Sequence, residues 1–140
     1  MQSKEKNNLI IIRLFKEENV NKMIKNLCEK HNIKTAVVIS GIGQLKNIKL
    51  GYFKEKGDYA PQLFKYPKEL LSLSGNICKE KNEYLLHLHA VLGDENKKAI
   101  GGHFIDGIVS VTAEIVILKT DLDIKRKTDK ETGLKNISLQ

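Results

Sequence analysis

Several residue types that mark particular protein classes are scarce in this chain of 140 residues. Its two cysteines, Cys28 and Cys78, are far apart and form no Cys-x-x-Cys motif, which indicates reduced thiols and not a disulfide framework. No apolar run approaches the roughly 20 residues that a membrane span requires. The N-terminus lacks the pattern of a cleaved signal peptide. We therefore expect a cytoplasmic protein that does not cross a membrane.

Arginine is also scarce, although the chain is basic, with a net charge of +7. Of its 24 basic residues only Arg13 and Arg126 are arginines. Arginine supplies most bidentate guanine contacts and most insertions into the minor groove. The lysines are dispersed among acidic residues, so the charge favours a solvated surface. A nucleic-acid-binding patch stays open as the alternative.

The length and a hydrophobic content of 41% predict one domain over residues 1–140. We place its core at about residues 8–135 and expect the polar C-terminal tail to be mobile. An apolar run at 8–14 predicts a strand, and residues 34–40 predict another. Between them lies an amphipathic helix, with apolar residues at helical spacing: Val20, Met23, Ile24, Leu27 and Cys28. His31 and Asn32 are expected to cap its end.

The rest of the chain is dominated by strand patterns, which we place at 45–53, 69–77, 84–92 and 107–119. Gly41-Ile42-Gly43 is predicted to be a turn, because a lone Gly-x-Gly is too short for a phosphate-binding loop. Short connections between the later strands favour antiparallel pairing. We therefore expect an α+β fold (an α/β two-layer arrangement). It would have a mixed, mostly antiparallel sheet, a β-α-β start and the helix packed on the sheet.

Three of the four histidines lie close together in the sequence. His87 and His89 are two residues apart on a predicted strand, so their side chains point to the same face. His103 follows Gly101-Gly102, and two glycines allow a close backbone approach that brings it to the pair. Three imidazoles can bind one ion and leave a position open, as in catalytic zinc sites. The alternatives are a metal-free polar or catalytic cluster and a structural coincidence.

A fourth ligand is less well defined by the sequence. Glu114 is the one charge inside the longest predicted strand, where it would bind the metal, orient an imidazole from behind, or pair with a lysine at a subunit contact. Asp106 is a weaker candidate, and water could complete the coordination. The His-x-His spacing also resembles that of cupins, but an amphipathic helix near the N-terminus suits a cupin barrel poorly.

Six segments together resemble the PPC (plant and prokaryote conserved) domain. They are RLFKEENVNKMIKNLCEKHNI at 13–33, SGIGQLKNIKLGYF at 40–53, ELLSLSGNI at 69–77, HLHA at 87–90, and GGHF with VTAEIVI at 101–104 and 111–117. The resemblance implies an α/β domain that assembles as a homotrimer. It also implies a metal-binding triad, with zinc as the expected ion, at His87, His89 and His103, and an acidic position at Glu114.

Plant members of this family carry AT-hooks that bind DNA, but this chain has no Arg-Gly-Arg core and resembles the stand-alone prokaryotic type. Two functions therefore stay open. The first is a non-enzymatic, trimeric, metal-binding assembly or regulatory module, with DNA as a candidate partner. The second is a metal-dependent enzyme that acts on a small molecule at the three-histidine site, which would require an open pocket beside the metal.

Overall fold

The computed structural model describes residues 1–139 as a β-rich fold, with 64% of the chain in strands and 8% in helix. The elements, in chain order, are β1 (Gln2–Lys6), β2 (Leu9–Phe15), α1 (Val20–Lys30), β3 (Thr35–Gly51), β4 (Gln62–Phe64), β5 (Lys68–Glu80), β6 (Glu83–Gly93), β7 (Ala99–Thr120), β8 (Lys125–Thr128) and β9 (Lys135–Ser138).

The long strand β7 is the element around which the sheet closes. It pairs with β6, β6 with β5, β5 with β3, and β3 again with β7, so four strands form a closed ring. Strand β2 pairs with the C-terminal half of β7 and carries β1 at its outer edge. Inward-facing side chains fill the ring, and the largest fully buried ones include Leu45, Leu73, Leu88 and Ile115.

The predicted α+β two-layer class with a mixed sheet is wrong. Every strand pair in the described residues is antiparallel, and the one helix among them has only 11 residues. The β2–α1–β3 order exists, but Leu118 of β7 pairs with both Leu9 and Val37, so β7 lies between the two strands. The physical reason is that a sheet of long apolar strands buries one face by closing on itself, which leaves little for a helix layer to cover.

Helix α1 contains the five apolar residues that the sequence placed on an amphipathic helix. The Asn19 side chain accepts a hydrogen bond from the backbone N–H of Lys22, as an N-cap should. His31 is the C-cap and Asn32 adopts φ 47°, so both predicted caps are confirmed. Among residues 1–139, no helix is long and apolar enough to cross a membrane.

The predicted turn at Gly41–Gly43 is wrong, because β3 runs straight through it. Gly43 has φ +145°, and a Cβ placed on it would lie 2.1 Å from the carbonyl oxygen of Thr112. Gly75 in β5 has the same role: φ is +149°, and its Cβ would lie 2.0 Å from the carbonyl oxygen of His87. Both glycines therefore permit close contact between neighbouring strands of the ring.

Near the C-terminus β8 and β9 form a hairpin, and β9 lies in the tail that we expected to be mobile. The Arg126 guanidinium donates hydrogen bonds to the carbonyl oxygen of Lys135 and to the side chain of Asn76 in β5. Lys135 also pairs with Glu80 at the end of β5. These contacts place the hairpin against the outer side of the ring.

Candidate metal centre

His87 and His89 both lie on the outer side of β6, as the strand period predicts. Leu88 and Ala90, which alternate with them, are buried inside the ring. The outer side of β6 is open around His89, since His89 is exposed and Val91 is 41% exposed. The histidine pair is therefore on a surface of the protomer and not in a core between two layers.

His103 lies in β7, directly opposite His89 in the β6–β7 register. The glycines before it allow this approach, since a Cβ on Gly101 would lie 2.9 Å from the carbonyl oxygen of Ala90. On the other side of β7, His103 is opposite Gly51 of β3. The lack of a side chain at Gly51 leaves room for the Tyr59 ring, which contacts His103 edge-on at 5.1 Å between centroids.

The three imidazoles converge on one point. One nitrogen from each ring lies within 4.8 Å of the nitrogens offered by the other two. The ring centroid of His87 is 5.3 Å from the centroids of His89 and His103. The centroids of His89 and His103 are 5.5 Å apart. The sequence argument from strand parity and the double glycine thus agrees with the geometry, while metal binding itself stays a prediction.

The surroundings of His87 and His103 favour neutral imidazoles. Burial, together with the proximity of His87 and His89, lowers the pKa of His103 to about 4. Burial also lowers the pKa of His87, with a further contribution from the Arg126 guanidinium. At neutral pH these two rings therefore carry a free lone pair, which is the form that binds metal.

The donor set fits a divalent ion such as zinc. Nδ1 of His103 is buried and has no hydrogen-bond partner among the described residues. Three imidazoles without a thiolate suit zinc and other divalent first-row metals better than magnesium or calcium, which prefer oxygen ligands. An ion bound there would act as a Lewis acid on a small molecule bound next to it.

Glu114 and Asp106, the two acidic candidates, do not join the three histidines within one chain. Glu114 is eleven residues further along β7, roughly 35 Å away in an extended strand, and its side chain is exposed. It lies opposite Arg13 of β2 and Ile42 of β3. Asp106 accepts a hydrogen bond of 2.8 Å from the Asn19 side-chain amide and is absent from the cluster. We therefore leave both out of the ligand set.

A cavity of about 580 Å³ opens beside the triad, lined by His87 and His103. Its walls include Asn21 of α1, Tyr59 from the loop after β3, and Arg126 and Leu134 from the C-terminal hairpin. The sequence did not predict that these residues line a cavity beside the histidines. The only signal for Arg126 was that it is one of two arginines in a lysine-rich chain. Hydrophobic periodicity does not predict where a loop or a terminal hairpin packs.

Comparison with known proteins identifies the family. The model of the Plants and Prokaryotes Conserved (PCC) domain matches residues 1–121. The chain belongs to this family. The match includes all three histidines of the triad and ends before the C-terminal hairpin. The proposed metal ligands therefore lie inside the matched residues, and Arg126 lies outside them.

Solved structures resemble this PCC-domain chain over nearly its whole length. A plant- and prokaryote-conserved protein from Pyrococcus horikoshii is 36% identical, with a TM-score of 0.85 over 94% of this chain and 92% of that one. A metal-containing protein from Archaeoglobus fulgidus is 26% identical, with a TM-score of 0.82 over 94% of each chain. A putative DNA-binding protein from Bacteroides thetaiotaomicron has a TM-score of 0.92 over 99% and 96% of the two chains. At 24% identity it shows the fold alone.

A curated relative is much longer. The bifunctional protein GlmU of Synechococcus sp. (strain JA-3-3Ab) is 25% identical over 131 residues, which are 92% of this chain. The chain spans about one fifth of the length of that relative. The likeness therefore concerns a domain, and no activity of the longer protein follows from it.

Proposed function

We propose that this PCC-domain chain is a cytoplasmic, homotrimeric assembly or regulatory module that holds one divalent metal ion, best suited to zinc, on His87, His89 and His103. The observation that supports it most is the convergence of the three ring nitrogens within 4.8 Å on two rigidly paired strands. The metal-containing relative from Archaeoglobus fulgidus, at 26% identity, points the same way. Two free, buried cysteines suit a reducing compartment.

A surface on β2, β7 and β3 supports the trimer. Cross-strand partners share a face of the sheet, so Leu118 forms one outward row with Leu9 and Val37. Ile11 and Ile42 lie on the same side and are 51% and 52% exposed. We call these five residues the outer apolar face. A contiguous apolar patch on a protomer marks an interface, and we assign it to further copies of this chain.

Glu114 and Arg13 lie opposite each other within the outer apolar face. A charged pair surrounded by exposed apolar side chains suits the polar, orientation-setting part of a subunit contact. Of the roles that the sequence suggested for Glu114, the subunit contact is therefore the one that we retain.

DNA is a further candidate partner, but nothing in the three-histidine site supports it. Its basis is the net charge of +7, and the lysines that carry this charge are spread over the surface. Binding through such lysines should show little sequence preference and should weaken steeply as salt rises. Failure to retain duplex DNA on a filter at low salt would remove this partner.

The cavity beside the triad favours a second candidate function, a metal-dependent enzyme acting on a small molecule. Three protein ligands leave a coordination position open, and the cavity reaches two of those ligands, His87 and His103. In this function Tyr59, in edge contact with His103, and Arg126 would hold and orient the ligand. A fold does not by itself imply a function, so the site and not the family would have to establish the reaction.

Titration calorimetry of the metal-free protein with zinc tests the metal site. We expect one ion per chain and release of few protons at pH 7.5, because His87 and His103 are already neutral. His89→Ala should abolish the binding, whereas His31→Ala, which changes a histidine outside the triad, should bind zinc like the wild type. Equal binding by both variants would place the ion elsewhere.

A further inference from the structure

The cavity beside the triad collects buried polar atoms that have no partner. Among residues 1–139, four buried side-chain polar atoms lack a hydrogen bond: Asn21 Oδ1, His31 Nε2, His103 Nδ1 and Arg126 Nε. Three of the four belong to residues that line this one cavity. The proposed metal site accounts for His103 Nδ1, which leaves Asn21 Oδ1 and Arg126 Nε without a partner. Each such atom costs roughly 1–3 kcal/mol when left unpaired, and native proteins contain few of them. Their concentration at one place indicates a polar ligand.

The charge of the cavity wall restricts the ligand to an anion. The cationic residues in the wall are Lys25, Lys49, Arg126 and Lys135, of which Lys135 is already paired with Glu80. No aspartate or glutamate lines the wall in the described part of the chain. Arg126 is held in place by its bonds to Asn76 and to the Lys135 carbonyl, which use two of its five N–H groups. The rest stay available for a carboxylate or phosphate, which the planar guanidinium matches well.

Asn21 adds a second requirement. Its Nδ2 already donates to the carbonyl oxygen of Ile105 at 2.7 Å, so the unpaired Oδ1 needs a hydrogen-bond donor from the ligand. An ammonium group would be repelled by the surrounding cations, whereas a hydroxyl group would not. The volume of about 580 Å³ is within the range of small-molecule sites.

We infer that this cavity binds a small hydroxylated organic anion, with its carboxylate or phosphate at Arg126 and its hydroxyl at Asn21. The residue that recognises the anion lies in the C-terminal hairpin, outside the residues matched by the family model. The inference adds a ligand class to the proposed metal site. It does not depend on that site, since Arg126 and Asn21 are not metal ligands.

Calorimetric titration with matched pairs of probes tests the inference. Glycolate and acetate form the carboxylate pair, and glycerol 3-phosphate and methyl phosphate form the phosphate pair. In at least one pair we expect the hydroxylated probe to bind about tenfold more tightly. Asn21→Leu should remove that preference. Arg126→Gln should weaken binding of both members at least about tenfold, because it removes the cation that holds the anionic group.

Lys127→Gln is the matched control, because it removes the same charge from the neighbouring, exposed position of the same hairpin. It should bind the probes like the wild type. If Arg126→Gln loses the hairpin, Leu134→Trp replaces it as the test. This substitution fills the cavity without removing a hydrogen-bond partner, and it should block binding.

Each titration is run on metal-free and on zinc-loaded protein, which separates the two proposals. Arg126-dependent binding supports the anion site even if no zinc is retained. Zinc retention without binding of any probe tighter than about 10 mM would overturn the anion site alone. Equal weakening by Arg126→Gln and Lys127→Gln would also overturn it, because the effect would then be one of general charge.

Discussion

His89 of β6 and His103 of β7 occupy directly opposite positions in an antiparallel strand pair, and their ring centroids are 5.5 Å apart. His87, two residues before His89, completes the cluster on the same side. Ligands held on paired strands are fixed by the backbone hydrogen bonds of the sheet and not by a loop. The site should therefore keep its geometry without the ion.

The close approach of Gly75 to His87 makes this glycine sensitive to substitution. In Gly75→Ala the new Cβ would meet the His87 carbonyl oxygen at 2.0 Å, and the backbone φ of +149° is strained for alanine. We expect a loss of about 3 kcal/mol or more in the free energy of unfolding, measured in urea, together with weaker metal binding. Gly57→Ala is the control for backbone strain, because Gly57 also has a positive φ, of +89°, but its Cβ would meet nothing within 4 Å. Equal losses in both variants would contradict the role assigned to Gly75.

The outer apolar face predicts how the oligomer can be dissociated. The double substitution Ile11→Lys and Ile42→Lys places two charges on exposed positions of this face. We expect the trimer to become a folded monomer in sedimentation equilibrium, because buried unpaired charges oppose association. Leu63→Lys, at an exposed leucine of β4, should leave the trimer intact. A wild-type chain that sediments as a monomer would refute the trimer.

The sequence predicted the histidine cluster better than the fold. Strand parity is a local property, so the shared face of His87 and His89 followed from two positions, and Gly101-Gly102 indicated where another strand could approach. The closed ring depends instead on β7 pairing with β6, β3 and β2 along different parts of its length. Such long-range pairing leaves no periodic signal. For the same reason, the packing of Arg126 against β5 could not be predicted.

The pH dependence of the metal-free protein tests the environment of His103. Its pKa is about 4 in the folded chain, below the value near 6.5 expected when unfolded, so the unfolded state takes up this proton first. The contribution to stability is complete above pH ~6.5 and is lost as the pH falls towards ~4. Urea unfolding should therefore show falling stability over this range, with a smaller slope in His103→Gln. Identical slopes would contradict the burial of this ring.

The thiol of Cys28 should be inert in the folded protein. It is fully buried, and burial raises its pKa to about 12, so almost no thiolate is present at pH 8. In a Cys78→Ser variant, a thiol reagent such as DTNB should react only as fast as the protein unfolds. Adding urea should release the full reactivity. Rapid reaction in buffer alone would show that the face of α1 that carries Cys28 is not packed into the core.

The metal content of the purified protein tests the triad most directly. Elemental analysis after exposure to zinc and removal of excess ion should give one ion per wild-type chain. The His87→Ala/His89→Ala variant should retain none, because one imidazole cannot hold the ion alone, while His31→Ala should retain the full amount. Unchanged metal content in the double variant would contradict the assignment of His87, His89 and His103 as the ligands.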